Sequence, residues 1–228
     1  MLQGKRIAVT GAFGALGVVV MRAVAAAGAS AAGIARAPAS KAPAQLAGFA
    51  LFGGADISDA AVAEATLRAV AQKLGGLDAL VNVAGAFRFG KVAESGPDLW
   101  ELMYKANLLT AVNATRAALP LLSANGRVIY IGAAGAAKAG VGTGPYAASK
   151  TGVAKLTEAL AAEVKDRNIT VNAVLPSIID TPANRADMPD ADFSRWVQPE
   201  QVADLIAFLL SDRASAITGA LIPIVGRV

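Results

Sequence analysis

The chain has 228 residues, of which 55% are hydrophobic, and its formal net charge is +4. That length is enough for one sizeable core, and no apolar run reaches the roughly 18 residues that suggest a membrane span. The absence of cysteine and histidine excludes a disulfide framework, a thiol nucleophile and the commonest metal ligand. Any catalysis must therefore use other groups.

Lysine and arginine are scattered along the chain rather than clustered, which favours small anionic ligands over nucleic acid. The first residues lead straight into an apolar segment and lack the features of a signal peptide. We therefore expect one domain over residues 1–228, located in the cytoplasm, that acts on a small-molecule substrate. We expect no metal site and no nucleic-acid or membrane partner.

Residues 5–10 (KRIAVT) form a short apolar run suited to a buried parallel strand, and a glycine turn and an Ala/Val-rich helix follow. The turn contains Gly11, Gly14 and Gly17. Glycines in such a turn let the backbone approach a pyrophosphate, while the helix N-terminus faces the phosphate charge. The order of strand, turn and helix favours dinucleotide binding over a purely structural turn.

Residues 30–35 are predicted as the second strand, and Arg36 follows at its end. An acidic residue at this point would bind the ribose hydroxyls of NAD, whereas an arginine can accept the 2′-phosphate of NADP. Because Ala35 stands where the acid would be, NADP(H) is favoured and NAD(H) is the possible alternative. The competing interpretation is that Arg36 is only a surface cation.

Strands and helices alternate regularly along the rest of the chain. Further strands are predicted at residues 49–53, 78–81, 127–131, 169–175 and 221–225, and helices at 59–74, 97–122, 146–165 and 199–211, with a turn at Asn125-Gly126. This alternation predicts an α/β fold with a single-domain, Rossmann-like, doubly wound parallel sheet of about seven strands and helices on both faces.

Tyr146 and Lys150 are four residues apart in a predicted helix, which places the phenol and the ammonium on one helical face. A nearby ammonium favours the ionised phenol and lowers its pKa from about 10, the tuning that an acid–base catalyst needs. The alternative is an exposed surface with a tyrosine and a lysine by chance. Asn107 lies in the apolar middle of the predicted helix 97–122 and must find hydrogen-bond partners there.

With the glycine turn, Asn82-Val83-Ala84-Gly85, Asn107 and Tyr146-xxx-Lys150 in this order, the chain resembles a short-chain dehydrogenase/reductase over essentially its whole length. The resemblance implies a nicotinamide cofactor at the carboxyl edge of the sheet, and a homodimer or homotetramer built through the two long helices. It implies that Tyr146 donates a proton and that Lys150 holds the nicotinamide ribose while lowering the Tyr146 pKa. Asn107 would hold a water that relays protons to Lys150.

The same resemblance implies a cofactor site with separate pyrophosphate, adenosine and nicotinamide regions. The expected cofactor-binding residues, in addition to Tyr146 and Lys150, are Gly11, Phe13, Gly14, Leu16, Gly17, Arg36, Asp56, Ile57, Asn82, Ala84, Gly85, Pro176, Ile179 and Thr181.

The fifth predicted strand departs from the family pattern at its end, which reads Ile131-Gly132-Ala133. The family supplies a serine there that hydrogen-bonds the substrate oxygen; here Gly132 or Ala133 takes that place, and neither residue has a hydroxyl. A missing donor of this kind costs about a hundredfold or more in turnover when a carbonyl must be polarised. Either the enzyme is impaired, or its substrate does not need that donor.

Residues 180–196 are similar to the segment after the sixth strand of quinonoid dihydropteridine reductases. That family also lacks the serine, keeps the tyrosine and lysine, and has an aromatic residue where Phe87 stands here. Phe87 would then offer a flat face for stacking. The expected substrate-side residues are Phe87, Ala133 and Trp196, with ordinary apolar packing of the two aromatic residues as the alternative.

The sequence therefore predicts an NAD(P)H-dependent oxidoreductase that transfers a hydride to an activated C=N or C=O group, and the resemblance of residues 180–196 implies a substrate like that of dihydropteridine reductase. One alternative is a general carbonyl, ketoacyl or quinone reductase that works without the serine. Another is a catalytically weak NADP-binding regulator that keeps the fold. Intact Asn107, Tyr146 and Lys150 argue against the regulator, because a binding protein has no need of a tuned phenol.

Overall fold

The computed structural model describes residues 1–228, and seven strands run through it. They are β1 (Arg6–Thr10), β2 (Ser30–Ile34), β3 (Ala50–Phe52), β4 (Leu77–Asn82), β5 (Leu122–Ile131), β6 (Thr170–Pro176) and β7 (Leu221–Ile224). All neighbouring strands pair in parallel, in the order β3-β2-β1-β4-β5-β6-β7. The predicted parallel sheet is confirmed.

The helices cover both faces of this sheet. They are α1 (Ala15–Ala26), α2 (Ala60–Leu74), α3 (Pro97–Met103), α4 (Thr110–Ala118), α5 (Gly144–Val164), α6 (Pro182–Asp187) and α7 (Pro199–Leu210). Helices α1 and α7 pack on one face, and α2, α4 and α5 pack on the other. None of the helices combines the length and the apolar character that crossing a membrane requires.

The core consists of two buried clusters, one on each face of the sheet. Successive residues of a strand point to opposite faces, and β1 illustrates this: Ile7 and Val9 belong to the cluster under α1 and α7, whereas Ala8 belongs to the other. Because helices cover both faces, both sets of side chains must be apolar. This is why the central strands read as continuous apolar runs.

Local signals explain where helix α2 begins and ends. The Asp59 carboxylate accepts hydrogen bonds from the backbone N–H groups of Ala61 and Val62, which satisfies two of the free donors at the helix start. The helix ends at Gly75, whose φ of 75° is a left-handed conformation that glycine adopts without steric cost.

Strands β1 and β4 are neighbours at the centre of the sheet, and the chain changes direction there. Thr10 and Asn82 are register partners at the carboxyl ends of these strands. In open α/β sheets, ligands bind in the crevice outside this edge at the point of reversal. The glycine turn after β1 and the loop after β4 therefore flank the expected site.

Two local predictions are corrected. The predicted helix 97–122 ends at Ala118, and its middle, Tyr104–Leu109, is a π-helical turn between α3 and α4. The predicted turn at Asn125-Gly126 lies inside β5, which begins at Leu122; Asn125 has a φ of 64° and the register with β4 shifts in this region. Pairing with β4 extends the strand past a local left-handed residue that was interpreted as its boundary.

Candidate active site

The glycine turn brings the backbone of β1 close to the loop after β4 (residues 83–96, the β4 loop). A Cβ on Gly11, whose φ is 66°, would lie 2.7 Å from the Ala84 nitrogen, and a Cβ on Gly17 would overlap the Gly11 carbonyl oxygen. Gly14 differs, because its only close neighbour would be the Gly11 oxygen at 3.4 Å. Gly11 and Gly17 are therefore required by packing, whereas Gly14 leaves open space in front of α1.

The N-terminus of α1 faces this open space. Gly14 is its N-cap, no side chain bonds to the first N–H groups, and the first turn contains no acidic residue. These N–H groups, which lack partners within the helix, and the positive end of the helix dipole suit a bound phosphate. The free N–H groups and the open space in front of them therefore fit the pyrophosphate of a dinucleotide.

A cleft extends from the glycine turn in two directions along the carboxyl edge of the sheet. Its larger part, about 740 Å³, runs from the loop after β2 to the N-terminal half of α5, and its smaller part, about 310 Å³, lies beyond Arg36. The two parts share Gly11, Ala35, Arg36, Ala84, Gly85 and Ala86. One elongated ligand can therefore occupy both.

The smaller part of the cleft has an apolar floor and a basic rim. Ile57 is buried and lines it together with Asp56 and Arg36. Hydrogen bonds from Ser58 lower the pKa of Asp56, and the Arg36 charge lowers it further. Lys41 lines the adjoining part of the cleft, which Arg36 also lines. The two cations are suited to an anionic group at this end.

Most of the expected cofactor residues line the cleft: Gly11, Phe13, Gly14, Leu16, Gly17, Arg36, Asp56, Ile57, Ala84, Gly85, Tyr146, Lys150 and Ile179. Pro176 and Thr181 do not line the cleft. Pro176 is the last residue of β6, and the Thr181 hydroxyl caps α6. Asn82 is 4% exposed, and neither polar atom of its carboxamide has a hydrogen-bond partner.

Several residues that line the cleft were not predicted from the sequence: Lys41, Val83, Ala86, Lys105 and Ile131. Lys41 was detectable, because it follows Arg36 by five residues in the same connection. Lys105 was not, because only the three-dimensional path of the helix brings it to the smaller part of the cleft.

Tyr146 and Lys150 lie on the inward face of α5, as their spacing predicts. The Lys150 Nζ donates a hydrogen bond to the Ile131 carbonyl oxygen at 2.8 Å and lies 6.0 Å from the centre of the Tyr146 ring. Both groups line the cleft. A substrate placed there would meet the phenol and the ammonium together.

The expected lowering of the Tyr146 pKa is not present in the free protein. Burial raises the pKa of Tyr146 to about 12 and lowers that of Lys150 to about 8. The reason is that no hydrogen bond joins the two groups, so the loss of solvent outweighs the attraction of the ammonium. At neutral pH the phenol carries its proton and the amine is charged.

Asn107 ties the β4 loop to α5. Its carboxamide oxygen accepts a hydrogen bond from the Ala86 N–H at 2.9 Å, and its Nδ2 donates to the Ala86 carbonyl and to Ser149 Oγ, each at 3.0 Å. Ser149 Oγ in turn donates to the Tyr146 carbonyl oxygen at 2.7 Å. A Cβ on Gly85 would lie near both Asn107 Oδ1 and Lys150 Nζ, so Asn107 and Lys150 are brought together.

The three expected substrate-side residues have different surroundings. The Phe87 and Tyr146 rings meet edge to face, with centres 5.0 Å apart and planes at 83°, and Phe87 lines the cleft. Ala133 lies two residues after the end of β5, is buried, has only a methyl group and does not line the cleft. Trp196 is 5% exposed, packs on Phe193 and does not line the cleft.

The segment after β6 (residues 177–198, the lid segment) borders the cleft at Ile179. Asp180 accepts two hydrogen bonds from Arg185, at 2.6 and 2.7 Å, and one from Gln198 at 3.1 Å. These hydrogen bonds, of which those from Arg185 have the largest effect, lower the pKa of Asp180 to about 2. Ile179, which lines the cleft, pairs with Val197 in an isolated bridge. Both ends of the segment are therefore attached to one another.

A parallel sheet with this reversal point, glycine turn and cleft is typical of a dinucleotide-binding α/β protein, and the group of Tyr146, Lys150 and Asn107 suits the proton transfers of an oxidoreductase. A family model described as enoyl-(acyl carrier protein) reductase matches residues 11–226. The chain belongs to the short-chain dehydrogenase/reductase family.

Individual relatives support this assignment. The 3-oxoacyl-[acyl-carrier-protein] reductase FabG of Thermotoga maritima is 35% identical over 69% of this chain and 68% of its own. The cyclic-di-GMP-binding biofilm dispersal mediator protein of Escherichia coli is 36% identical over 67% of this chain and 68% of its own. A short-chain dehydrogenase from Burkholderia cenocepacia, solved in complex with NADP, has a TM-score of 0.92 and 33% identity, covering 99% and 98% of the two chains.

Proposed function

We propose that the protein is an NADPH-dependent reductase of activated, conjugated carbonyl compounds. One observation carries the proposal: the proton donor Tyr146 and its partner Lys150 line the cleft, while Ala133 offers no hydroxyl to the substrate oxygen. A substrate whose carbonyl is already activated by conjugation or by an adjacent carbonyl needs less polarisation. Such a substrate suits a site with a proton donor and no second hydroxyl.

The residues divide the chemistry among them. A bound nicotinamide would supply the hydride to the substrate carbon. The Tyr146 phenol, which is protonated at neutral pH, donates its proton to the substrate oxygen, and the Lys150 charge stabilises the phenolate that remains. Asn107 holds Ala86 and Ser149 in place, and the phenolate regains a proton from solvent. We also propose the water relay through Asn107 that the family resemblance implies.

Preference for NADPH rests on the basic end of the cleft. Arg36 and Lys41 both line it, and no acidic residue follows β2 where one would bind the ribose of NAD. The structural relative from Burkholderia cenocepacia was solved with NADP. A 2′-phosphate between two cations would make charge-assisted hydrogen bonds that NADH cannot make.

Several relatives are ketoacyl reductases by name, but a simple β-ketoacyl carbonyl is not conjugated to a ring. An absent oxyanion donor costs about 100- to 1,000-fold in turnover. We therefore place ketoacyl compounds below quinones and vicinal diketones as substrates.

The test compares NADPH oxidation with a vicinal diketone, an ortho-quinone, quinonoid dihydropterin and an acetoacetyl thioester, in the wild type and in Ala133→Ser. The proposal expects turnover of the activated compounds in the wild type. It expects Ala133→Ser to raise activity on the thioester by about tenfold or more while changing the quinone rate little. Equal rates on all compounds in the wild type, or none on the activated ones, would contradict the proposal.

Dihydropterin reduction is a second candidate, favoured by Phe87 beside Tyr146. A flat ring there suits a planar bicyclic substrate. Burial of Trp196 away from the cleft removes one of the residues that motivated this candidate. If the pterin is turned over at least tenfold faster than the quinone, dihydropterin reduction becomes the preferred function.

A regulator that binds nucleotide without turnover is a third candidate, favoured by the missing hydroxyl at Ala133 and by the name of the Escherichia coli relative. Tyr146→Phe separates the classes. If the protein is an enzyme, the variant should lose turnover by about 10²- to 10⁴-fold and keep its cofactor affinity. If the protein is a regulator, the variant should regulate as the wild type does.

A homodimer or homotetramer, in the cytoplasm, remains our prediction. An apolar groove lined by Trp100, Tyr104, Pro145 and Ala148 lies between the helix 97–118 and α5, where the two long helices would meet a second copy. Light scattering at micromolar concentration tests this, and a monomer would contradict it.

A further inference from the structure

Two loops flank Tyr146 at the substrate end of the cleft: the β4 loop (residues 83–96) and the loop after β5 (residues 132–143, the β5 loop). They are joined by a backbone hydrogen bond from the Gly90 N–H to the Gly142 carbonyl oxygen at 2.8 Å. The ring of Phe89 rests on Gly142 directly beside this bond. We call Phe89, Gly90 and Gly142 the aromatic clasp.

Glycine is required at position 142 for two separate reasons. Its φ of 73° lies in the left-handed region, which side chains other than glycine rarely adopt. A Cβ there would also overlap Cε2 and Cζ of the Phe89 ring. The clasp therefore depends on a bare backbone under the ring, and any side chain at this position would push Phe89 away.

The outer face of the Phe89 ring is open. Phe89 is 61% exposed although its inner face is covered by Gly142, and Phe87, two residues earlier, is 45% exposed. Two residues of extended chain span at most about 7 Å, so Phe89 follows closely on Phe87, which lines the cleft, while Phe89 itself lies outside that lining.

We propose that Phe89, held on Gly142, is a specificity residue that binds the aromatic ring system of the substrate beyond its reacting carbonyl. The inference rests on the proposed function and names the substrate class of that site: aryl-substituted or polycyclic conjugated carbonyl compounds. Phe87 lies against the phenol, where the carbonyl is reduced, and Phe89 extends the apolar wall outward from it. A small aliphatic diketone would not reach the clasp.

Two compounds with the same reacting group and different size make a matched test: 9,10-phenanthrenequinone and butane-2,3-dione. Both are vicinal diketones, and only the first has aromatic rings. The variants are Phe89→Ala, which removes the ring, and Gly142→Ala, which displaces it. Phe89→Tyr keeps a ring, and Val141→Ala alters a neighbouring residue that is 79% exposed, so both serve as controls.

Two quantities are measured for each variant: kcat/KM with NADPH, and the dissociation constant of each diketone from the protein loaded with NADP⁺, by calorimetry. Phe89→Ala and Gly142→Ala should weaken phenanthrenequinone binding and raise its KM by about tenfold, with little change for butanedione. Phe89→Tyr and Val141→Ala should resemble the wild type, and the affinity for NADPH should be unchanged throughout.

Equal losses on both diketones would mean that the clasp only supports the fold, and no loss on either would mean that the ring is not used; both results overturn the inference. If the wild type binds phenanthrenequinone through Phe89 but does not reduce it, the proposed function fails and the inference stands. If the wild type reduces both compounds and Phe89→Ala is unchanged, the inference fails and the function stands. A wild type that does not bind the quinone overturns the inference.

Discussion

The two ends of the cleft are built by different means. At the cofactor end, the glycine turn and α1 are placed by strand order and by contacts between backbone atoms, such as that between Gly11 and Ala84. At the substrate end, the β4 loop, the β5 loop and the lid segment are held by contacts in which side chains take part. Phe89 on the Gly142 backbone and Asp180 with Arg185 and Gln198 are examples.

This difference has consequences for what each end tolerates. A backbone contact admits almost no substitution, because an added Cβ has nowhere to go. A contact between side chains on loops can be exchanged for another with a modest effect on the fold, and loops of this kind carry specificity in many enzymes. The cofactor end should therefore respond to substitution in stability and cofactor affinity, and the substrate end in KM.

Gly17→Ala should break the cofactor end most severely. Its Cβ would overlap the Gly11 carbonyl oxygen, and forced overpacking of this kind typically costs about 1–3 kcal/mol. Gly14→Ala is the matched control, because its Cβ would meet only one atom at 3.4 Å and its φ of −78° suits alanine; we expect a change within about 0.5 kcal/mol. Urea unfolding of both variants measures the free energies, and equal losses would contradict the steric argument.

Arg36→Ala should alter cofactor choice without altering the fold, since Arg36 is exposed on the rim of the cleft. Loss of charge-assisted bonds to a 2′-phosphate should weaken NADPH binding by about 10- to 100-fold and leave NADH nearly unchanged. Lys41→Ala should act in the same direction with a smaller effect. Titration of nicotinamide fluorescence with both cofactors measures this. An equal loss of NADH affinity would show that the two cations do not bind the 2′-phosphate.

Lys150 should make stability depend on pH. Burial lowers its pKa to about 8 from 10.5, so between these values the unfolded chain binds more protons than the folded one, and stability rises with pH. From pH 7 to pH 9.5, the free energy of unfolding of the wild type should rise by about 2 kcal/mol relative to that of Lys150→Met. Lys155→Met, at an exposed position of the same helix, is the control for urea unfolding. A constant difference between wild type and Lys150→Met would contradict the burial of this amine.

Asp180→Asn should have the smallest effect and should appear at the substrate end. The amide keeps one acceptor but loses the paired bonds from Arg185, which loosens the lid segment next to Ile179. Since Arg185 is half exposed, we expect only about a two- to fivefold rise in the substrate KM, with kcat and NADPH affinity nearly constant. Steady-state kinetics measures this, and a fall in NADPH affinity instead would place Asp180 at the cofactor end.

The sequence was informative where local rules decide the structure. The alternation of apolar runs and amphipathic helices predicted the sheet, and the glycine turn and the Tyr146–Lys150 spacing predicted residues that line one cleft. The position of Lys105 in that cleft, the extension of β5 back to Leu122 and the burial of Trp196 could not be predicted in this way. Each depends on contacts between residues distant in sequence.

The pKa of Tyr146 shows the same limit. Spacing on a helix brings a phenol and an ammonium to one face, but the pKa depends on where the ammonium points and on how much solvent remains. Here the Ile131 carbonyl binds the Lys150 ammonium, and burial decides the outcome for both groups. A pattern of four residues contains neither piece of information.

The π-helical turn at Tyr104–Leu109 has a consequence for the engineering of this chain. A π turn accommodates one more residue than a regular α-helix, and such insertions are frequent at functional sites. Here the widened turn contains Asn107, whose carboxamide binds both backbone groups of Ala86. Deleting one residue to regularise the helix would rotate Asn107 away from Ala86. A stabilised version of the protein designed by straightening this helix would therefore gain regular structure and lose the link between the β4 loop and α5.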